Sequence, residues 1–260
     1  MSIHPTAIVD PGAELGRDVI VHPFTVIEPG VVIGDGCEIG PHAVIRAGTR
    51  MGPRNRVTIG AVIADFPQDL KFGKEPSFVD IGADNHIREY VTIHRATGEG
   101  NSTIIGDSNM LMAYSHIGHN CHLGSNIMLA NVVQLAGHTV VEDYVVMGGL
   151  AGTHQFTRIG TLCMVAARAG VRVDAPPYML VEGDTARPRK LNTVGLRRRG
   201  MSAEAVAALK TCFHLIYRSE LNVSEALQRV RAEVEMLPEV QTLVEFLEKV
   251  PEGRHGRQMN

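Results

Sequence analysis

The sequence predicts an all-β solenoid, a parallel β-helix built from six-residue repeats, followed by a small helical domain. Aliphatic residues recur at every sixth position from Ile3 to Val171. Twenty-five of these 29 positions are aliphatic, whereas the overall hydrophobic content would place roughly 13 there by chance. Twenty-seven glycines, no tryptophan and 5% aromatic residues are typical of a chain with many small, similar turns. After Pro176 and Pro177 the six-residue pattern ends and helical spacing begins.

A period of six matches short strands joined by tight turns, because each strand then directs one side chain inward. Three repeats form one triangular coil, so residues eighteen apart lie over one another. Coils stacked about 4.8 Å apart bury the aliphatic positions along the axis and pair the backbone groups of neighbouring coils. Small or β-branched residues recur four positions after the aliphatic ones, and three cysteines, Cys37, Cys121 and Cys163, stand there. We interpret all four cysteines as free thiols, since their spacings match neither a zinc ribbon nor a redox dithiol.

Two interruptions divide the repeat, at residues 65–78 and 98–103. They lose the aliphatic residue and keep the phase, which predicts loops that leave the coil, and such loops often carry functional residues. We expect a β-helix over residues 1–178 and a linker with a C-terminal helical domain over 179–260. Helical spacing predicts helices over 203–219, 223–237 and 239–249, with polar residues fraying from 252 onward. Their boundaries are marked by Ser202, Asn222, Pro238 and Pro251.

Charge and hydropathy exclude several classes of protein. A net charge of −3 argues against a general polyanion binder, and no run of eighteen apolar residues predicts a membrane span, so we expect a cytoplasmic protein. Residues 185–200 nevertheless form a basic stretch without an acidic residue: Arg187, Arg189, Lys190, Arg197, Arg198 and Arg199. Because no aromatic residues interleave, it is a poor nucleic-acid site. It suits an acidic acyl carrier protein or a diphosphate, the alternative being a solvated surface.

Five of the twelve histidines fall within 39 residues: His116, His119, His122, His138 and His154. None stands at an inward position, which predicts imidazoles at turns or on outward faces. One interpretation is that exposed turns simply tolerate histidine. A second is a zinc site of three converging imidazoles, which the spacing disfavours because residues three apart on a non-helical turn splay outward. A third needs a single histidine near a substrate hydroxyl, acting as a general base with a pKa near neutrality.

Several motifs carry a resemblance to known families. Ile33-Gly-Asp-Gly-Cys-Glu and Leu123-Gly-Ser-Asn-Ile-Met resemble the hexapeptide-repeat transferases, whose coil is a left-handed parallel β-helix. The stretch from Asn109 to Cys121, Gly152-Thr-His-Gln-Phe and Gly195-Leu-Arg-Arg-Arg-Gly closely resemble the UDP-N-acetylglucosamine 3-O-acyltransferases of lipid A biosynthesis. The resemblance spans essentially the whole chain. The related N-acyltransferases would need a separate N-terminal nucleotide-binding domain, whereas the repeats here begin at Ile3.

The resemblance implies an acyltransferase without metal or other cofactor that uses UDP-N-acetylglucosamine and a 3-hydroxyacyl thioester of acyl carrier protein. In this family pattern His119 is the general base for the sugar 3-hydroxyl, and the backbone N–H of Gly137 binds the oxyanion. Ala167 matches the position that gauges acyl-chain length. Asn120 replaces an aspartate that many members carry, which removes charge support for an imidazolium. The substrate-binding positions implied by the resemblance are Asp69, Lys71, His94, His116, Asn120, His138, His154, Gln155, Asn192, Arg198 and Arg199.

Outward-facing imidazoles on a convex prism make a poor pocket unless a second subunit closes it. We therefore expect a homotrimer with a cleft between neighbouring coils, which the resemblance also implies. Two alternatives from other classes stay open. One is a zinc-dependent hydratase similar to the γ-class carbonic anhydrases, and the other is a scaffold that binds acyl carrier protein without catalysis.

Overall fold

The computed structural model describes residues 1–259, and its first 191 residues wind into short strands. Most strands have only two residues, because the other four residues of each repeat form a turn and the segments beside it. The strands are β1 Ser2–Ile3, β2 Ile8–Val9, β3 Glu14–Leu15, β4 Ile20–Val21, β5 Val26–Ile27, β6 Val32–Ile33, β7 Glu38–Ile39, β8 Val44–Ile45, β9 Thr49–Met51, β10 Arg56–Val57, β11 Val62–Asp65, β12 Phe78–Ile81, β13 His86–Ile87, β14 Thr92–His94, β15 Ser102–Ile105, β16 Met110–Leu111, β17 His116–Ile117, β18 His122–Leu123, β19 Met128–Leu129, β20 Gln134–Leu135, β21 Val140–Val141, β22 Val146–Met147, β23 Gly152–Thr153, β24 Arg158–Ile159, β25 Met164–Val165, β26 Gly170–Val171, β27 Met179–Glu182 and β28 Arg187–Leu191.

Each coil contributes one strand to each of three sheets, so every third strand pairs in parallel. Sheet A runs from β1 through β4 to β25 and ends with β27 and β28, sheet B runs from β2 to β26, and sheet C runs from β3 to β24. Ile3 pairs with Val21, the predicted eighteen-residue register. The register lengthens across the two interruptions, where Val57 pairs with Ile87. The predicted fold class, a left-handed parallel β-helix with a small C-terminal helical domain, is confirmed.

The core is a column of aliphatic side chains along the coil axis. Ile33, Ile63, Ile93 and Leu123 are fully or almost fully buried, as are most other members of the six-residue series from Val21 to Val171. Burying each such side chain stabilises the fold by about 1.5–3 kcal/mol. Most of the small positions four residues later are also buried, and the four cysteines are free thiols inside the protein.

Three corners join the sheets, named here the A–B, B–C and C–A corners. Most turns place one residue in the left-handed region of φ, where non-glycine residues are uncommon. Corner side chains from successive coils therefore stack. Tyr90 and Tyr114 stack at the A–B corner with ring centroids 5.1 Å apart. His138 and Phe156 stack at the B–C corner at 4.4 Å, and Tyr144 lies at the C–A corner.

A β-hairpin that the sequence pattern did not predict closes the coil. Strand β27 continues sheet A by pairing in parallel with β25, and β28 folds back antiparallel onto β27. Val165 pairs with Val181, a step of sixteen residues instead of eighteen. Because two residues are missing from that coil, a search at six-residue steps loses the pattern there.

Four helices follow: α1 Thr193–Arg198, α2 Ala203–Tyr217, α3 Val223–Glu233 and α4 Pro238–Lys249, with a short 3₁₀ turn at Val250–Glu252. Ser202 and Asn222 cap α2 and α3 through their side chains, as the sequence indicated. Within residues 1–259, no helix is long and apolar enough to cross a membrane. The expectation that the chain frays from 252 onward is wrong for residues 252–259, because Gly256 and Gln258 hydrogen-bond to Asp174 at the end of the coil. Its last residue, 260, lies outside the described residues.

Candidate functional site

A cleft of about 290 Å³ lies on the outer face of sheet B beside the B–C corner. It brings together five of the residues implied by the resemblance, which come from four neighbouring coils: His94, His116, His119, Gly137 and Gln155. Gln68 enters the cleft from the long loop, residues 66–77, which leaves the coil between β11 and β12. The first interruption thus supplies part of the wall.

His119 stands on a turn at the B–C corner and is only 6% exposed, although a turn position predicted an open one. The residue eighteen positions later, Gly137, lies directly against its ring. A Cβ atom on Gly137 would stand 2.5 Å from Nε2 of His119, so a side chain there would displace the imidazole. The Gly137 N–H has no acceptor among the residues that the structure describes. An imidazole and a glycine whose N–H has no acceptor therefore line the same cleft.

Asn120 fixes which nitrogen of His119 carries the proton. Its Oδ1 lies 2.8 Å from Nδ1 of His119 and accepts hydrogen bonds from the backbone N–H and hydroxyl of Thr97, each at 2.9 Å. Its Nδ2 donates to the Thr97 carbonyl at 3.0 Å. If the Asn120 amide were rotated by 180°, its Nδ2–H would face the N–H of Thr97 and its Oδ1 would face the Thr97 carbonyl, both unfavourable. The atom that faces His119 is therefore Oδ1, which can only accept a hydrogen bond. Nδ1 of His119 is therefore the donor, which leaves the lone pair on Nε2.

Two further imidazoles line the cleft as neutral rings. Burial, reinforced by His94 and His119, lowers the pKa of His116 to about 4, and its Nδ1 lies 2.8 Å from the hydroxyl of Thr92. Burial also lowers the pKa of His94. Nδ1 of His94 is buried without a hydrogen-bond partner in the described part of the chain. Its buried position leaves this nitrogen without a hydrogen bond and favours the neutral ring.

His138 packs edge-on against His119, with ring centroids 5.2 Å apart. Burial lowers the pKa of His138, and the Asp69 carboxylate opposes this shift, which places the long loop within electrostatic reach of the B–C corner. Lys71 is exposed on the same loop, where its N–H donates to Asp69. His154 is exposed, with Nδ1 3.0 Å from the Gln155 carbonyl.

Four residues implied by the resemblance lie elsewhere in the chain. Asn192 caps α1 and donates to the carbonyl of Leu162 at the C–A corner. The Arg199 guanidinium lies 4.0 Å over the Tyr144 ring at the same corner, and Arg198 is exposed on α1. In a triangular coil this corner is opposite sheet B, which carries the cleft. The fourth, Ala167, is exposed at the A–B corner.

The histidines considered for zinc are not gathered at one point. His122 is exposed on sheet C, whereas His116 faces the cleft on sheet B. Residues 1–259 contain no group of three or more His, Cys, Asp or Glu side chains placed to hold a metal ion. The arrangement instead supports proton transfer by one imidazole among neutral neighbours.

Gln68 and Thr97 belong to the site although neither the spacing nor the resemblance indicated them as individual residues. Gln68 begins the loop motif Gln68-Asp-Leu-Lys, which could have indicated it. Thr97 lies 23 residues before Asn120 instead of eighteen, because the short loop, residues 95–101, interrupts the coil between β14 and β15. Only the folded loop brings them together.

Comparison with known proteins gives matches along the chain. Residues 174–256 match a family model described as UDP N-acetylglucosamine O-acyltransferase, domain 2, and residues 12–47 match the bacterial transferase hexapeptide model. A protein of Janthinobacterium sp. (strain Marseille), named acyl-(acyl-carrier-protein)–UDP-N-acetylglucosamine O-acyltransferase, is 48% identical over 256 residues, covering 96% of this chain and 98% of that protein.

Solved structures agree with these matches. A UDP-N-acetylglucosamine acyltransferase from Bacteroides fragilis has a TM-score of 0.92 and 38% identity, covering 95% of this chain and 96% of that one. A UDP-N-acetylglucosamine acyltransferase from Campylobacter jejuni has a TM-score of 0.89 and 37% identity, with 95% and 96% covered. The similarity thus includes both the coil and the helical domain.

Proposed function

Because the chain belongs to the family of acyl-(acyl-carrier-protein)–UDP-N-acetylglucosamine O-acyltransferases, we propose that it moves a 3-hydroxyacyl chain from acyl carrier protein to the 3-hydroxyl of UDP-N-acetylglucosamine. This is the first step of lipid A biosynthesis. The observation that carries the proposal for the site is the buried His119, whose Nε2 lies against Gly137, a residue with no acceptor for its N–H in the described part of the chain. The proposal includes a cytoplasmic location, as predicted from the sequence.

The chemistry follows from these two groups. Nε2 of His119 takes the proton from the sugar hydroxyl as its oxygen attacks the thioester carbonyl. The resulting oxyanion accepts a hydrogen bond from the Gly137 N–H, which stabilises the tetrahedral intermediate. The intermediate collapses by breaking the carbon–sulfur bond, and the imidazolium returns its proton to the leaving thiolate. Asn120 orients the ring throughout but, as an amide, supplies no charge.

The proposal includes a homotrimer. Asn192, Arg198 and Arg199 are at or near the C–A corner of the coil, opposite the sheet that carries the cleft, so they can reach a bound nucleotide only from a neighbouring subunit. Exposed apolar side chains support such packing: Leu70 at the tip of the long loop is fully exposed, and Tyr114 is 57% exposed. A closed three-fold ring would give three equivalent clefts.

Replacing His119 with alanine tests the function. We expect turnover of a 3-hydroxyacyl carrier thioester with UDP-N-acetylglucosamine to fall by roughly 10²–10⁴-fold, since proton transfer by a positioned base contributes about that much. The variant should keep the wild-type melting profile and oligomeric mass, because His119 lies outside the aliphatic column. His122→Ala, on sheet C, is the matched control and should retain activity.

Near-wild-type turnover by His119→Ala would remove the assignment of the base. Full activity after removal of bound metal, measured alongside metal analysis of the purified protein, is expected; activity that requires added zinc would favour the hydratase-like alternative. Binding of acyl carrier protein without any turnover would favour the scaffold.

A further inference from the structure

The short loop holds the side chain of Asn120 at three points, all on Thr97. The backbone N–H and the hydroxyl of Thr97 both donate to Oδ1, and its carbonyl accepts from Nδ2. Asn120 has a φ of 58°, a left-handed conformation that asparagine tolerates better than most residues. Its amide therefore reaches back from the corner turn to the loop.

The Thr97 backbone is itself fixed by the long loop. The Glu75 carboxylate accepts from the N–H of Gly98 at 2.7 Å and from the N–H of Gly73 at 2.8 Å, so it joins the two loops. The hydrogen bond from Gly98 is the main cause that lowers the pKa of Glu75, which keeps this carboxylate ionised at neutral pH. The side chain of Asn101 also donates to the Thr97 carbonyl. Thr97 is a fixed point to which a neighbouring side chain can be anchored.

An amide beside a catalytic imidazole needs such an anchor, whereas a carboxylate does not. Both oxygens of a carboxylate accept, so either can face Nδ1–H of a histidine. An amide has one accepting and one donating end, and the wrong orientation would stabilise the opposite tautomer and place the proton on Nε2. A histidine protonated at Nε2 cannot take a proton from the substrate with that atom.

We propose that Thr97 is a positioning residue for acyl transfer: by locking the Asn120 amide, it keeps the proton of His119 on Nδ1 and the lone pair on Nε2. The inference rests on the proposed function, in which Nε2 is the base. The short loop would thus hold the amide of residue 120 in one orientation, which is necessary because this residue is an asparagine and not an aspartate.

The first test is a double-mutant cycle in the full-length enzyme. Thr97→Val removes the hydroxyl donor and keeps the shape, so kcat should fall about 3- to 10-fold, the loss of roughly one hydrogen bond, while KM for both substrates stays within about twofold. Thr97→Ser should restore kcat. In an Asn120→Asp background, where the acceptor is symmetric, Thr97→Val should cost less than about twofold. Thr25→Val, which removes a hydroxyl donor at a distant turn, is the matched control.

The second test reads the tautomer directly from the ¹⁵N NMR shifts of the His119 ring, which needs neither substrate nor turnover. Wild type should show a protonated Nδ1. Thr97→Val loses one of the two donors to Oδ1 and keeps both backbone contacts, so it should show a larger fraction protonated on Nε2 than the wild type. A proton on Nε2 in the wild type, or a Thr97→Val variant unchanged in both kcat and tautomer, overturns the proposal. If the wild type instead lacks acyltransferase activity but shows the expected tautomer shift, the proposed function fails while the positioning contact stands.

Discussion

At the scale of single residues, the cleft is a set of imidazoles that burial keeps uncharged. The pKa values of His94, His116 and His138 are all lowered, chiefly by burial, and that of His116 reaches about 4. An imidazolium that forms on His119 during the reaction therefore meets no fixed positive charge from these neighbours. Each neutral ring also offers one donor and one acceptor, which suits the hydroxyls and amide of a sugar.

Replacing Gly137 with alanine tests the space that His119 occupies. The added Cβ would lie 2.5 Å from Nε2, so the ring must move, and we expect kcat to fall about 10²-fold or more with little change in melting temperature. Gly152→Ala is the matched control in the same cleft, since its Cβ would meet the Gln134 carbonyl at 3.5 Å and the Gln134 Cβ at 4.0 Å, both ordinary contact distances. Equal activity of the two variants would contradict the role given to Gly137.

The same residues show how far the sequence could predict the site. The eighteen-residue spacing places Gly137 over His119, and the resemblance supplies their roles. Spacing could not predict that His119 is buried, because a turn position says nothing about what covers it. Nor could it find Thr97, whose distance from Asn120 along the chain is set by the length of the short loop.

At the scale of elements, the coil positions loops and a terminal hairpin that carry the polar chemistry. Arg46 pairs with Asp65 and lies against Phe66, and Arg95 lies against the same ring, so the base of the long loop is held where it leaves β11. The helices could be predicted because their caps are local, as Ser202 shows for α2. Strand β27 could not, because its pairing with β25 depends on a coil two residues short.

Strand β28 is the last strand of sheet A and carries three exposed basic residues, Arg187, Arg189 and Lys190. If this strand meets the acidic carrier, replacing all three with alanine should raise KM for the carrier thioester and flatten its salt dependence, with less effect on KM for the sugar nucleotide. The measurement is the kinetics at salt concentrations between about 20 and 300 mM, a range over which added ions screen exposed charges progressively more strongly. Replacing Arg17, Arg54 and Arg56 on the N-terminal coils with alanine controls for the change in net charge. If this control changes KM for the carrier thioester equally, the basic residues of β28 do not bind the carrier and are simply solvated.

The C-terminal segment is attached to the coil by a buried carboxyl. Asp174 is 9% exposed and accepts from the N–H groups of Arg158 and Gln258. Burial raises its pKa to about 6, against the opposing effect of those hydrogen bonds and of the charges on Arg158 and Arg257. The folded state therefore binds the proton more tightly than the unfolded state, and stability from this group is lost as pH rises from about 4 to about 6.

Asp174→Asn, which cannot ionise, should remove that dependence. We expect the melting temperature of wild type, relative to the variant, to fall as pH rises through the window from about 4 to about 6 and to level off above it. Calorimetry at matched pH values measures the difference. The control is Asp184→Asn, which changes an exposed carboxylate at the same end of the coil. If the difference in melting temperature between wild type and Asp174→Asn does not change with pH, Asp174 does not retain its proton in the folded state.

At the scale of the whole molecule, a triangular coil separates groups that a reaction needs in one place. His119 lies at one corner, the α1 arginines at another, and the small residues Gly149 and Ala167 at the third. No internal motion of a stacked coil can join three corners, because each sheet is hydrogen-bonded along its full length. Assembly of several coils can join them, and this is the physical basis for proposing a homotrimer.

Asn131, Gly149 and Ala167 form a column of turn positions at the A–B corner. These residues are eighteen apart and stack, with the Asn131 carbonyl 3.3 Å from where a Gly149 Cβ would lie. Small side chains there would leave a groove between neighbouring subunits for an acyl chain.

Since Ala167 is exposed, Ala167→Met should not disturb the core. It should shift the preferred donor to a shorter acyl chain, because each methylene kept from its apolar site forfeits about 0.8 kcal/mol, while kcat for short donors stays near wild type. The measurement is kcat/KM across a series of donor lengths, with the exposed helix variant Ala207→Met as control; an unchanged length profile would mean that the groove ends elsewhere.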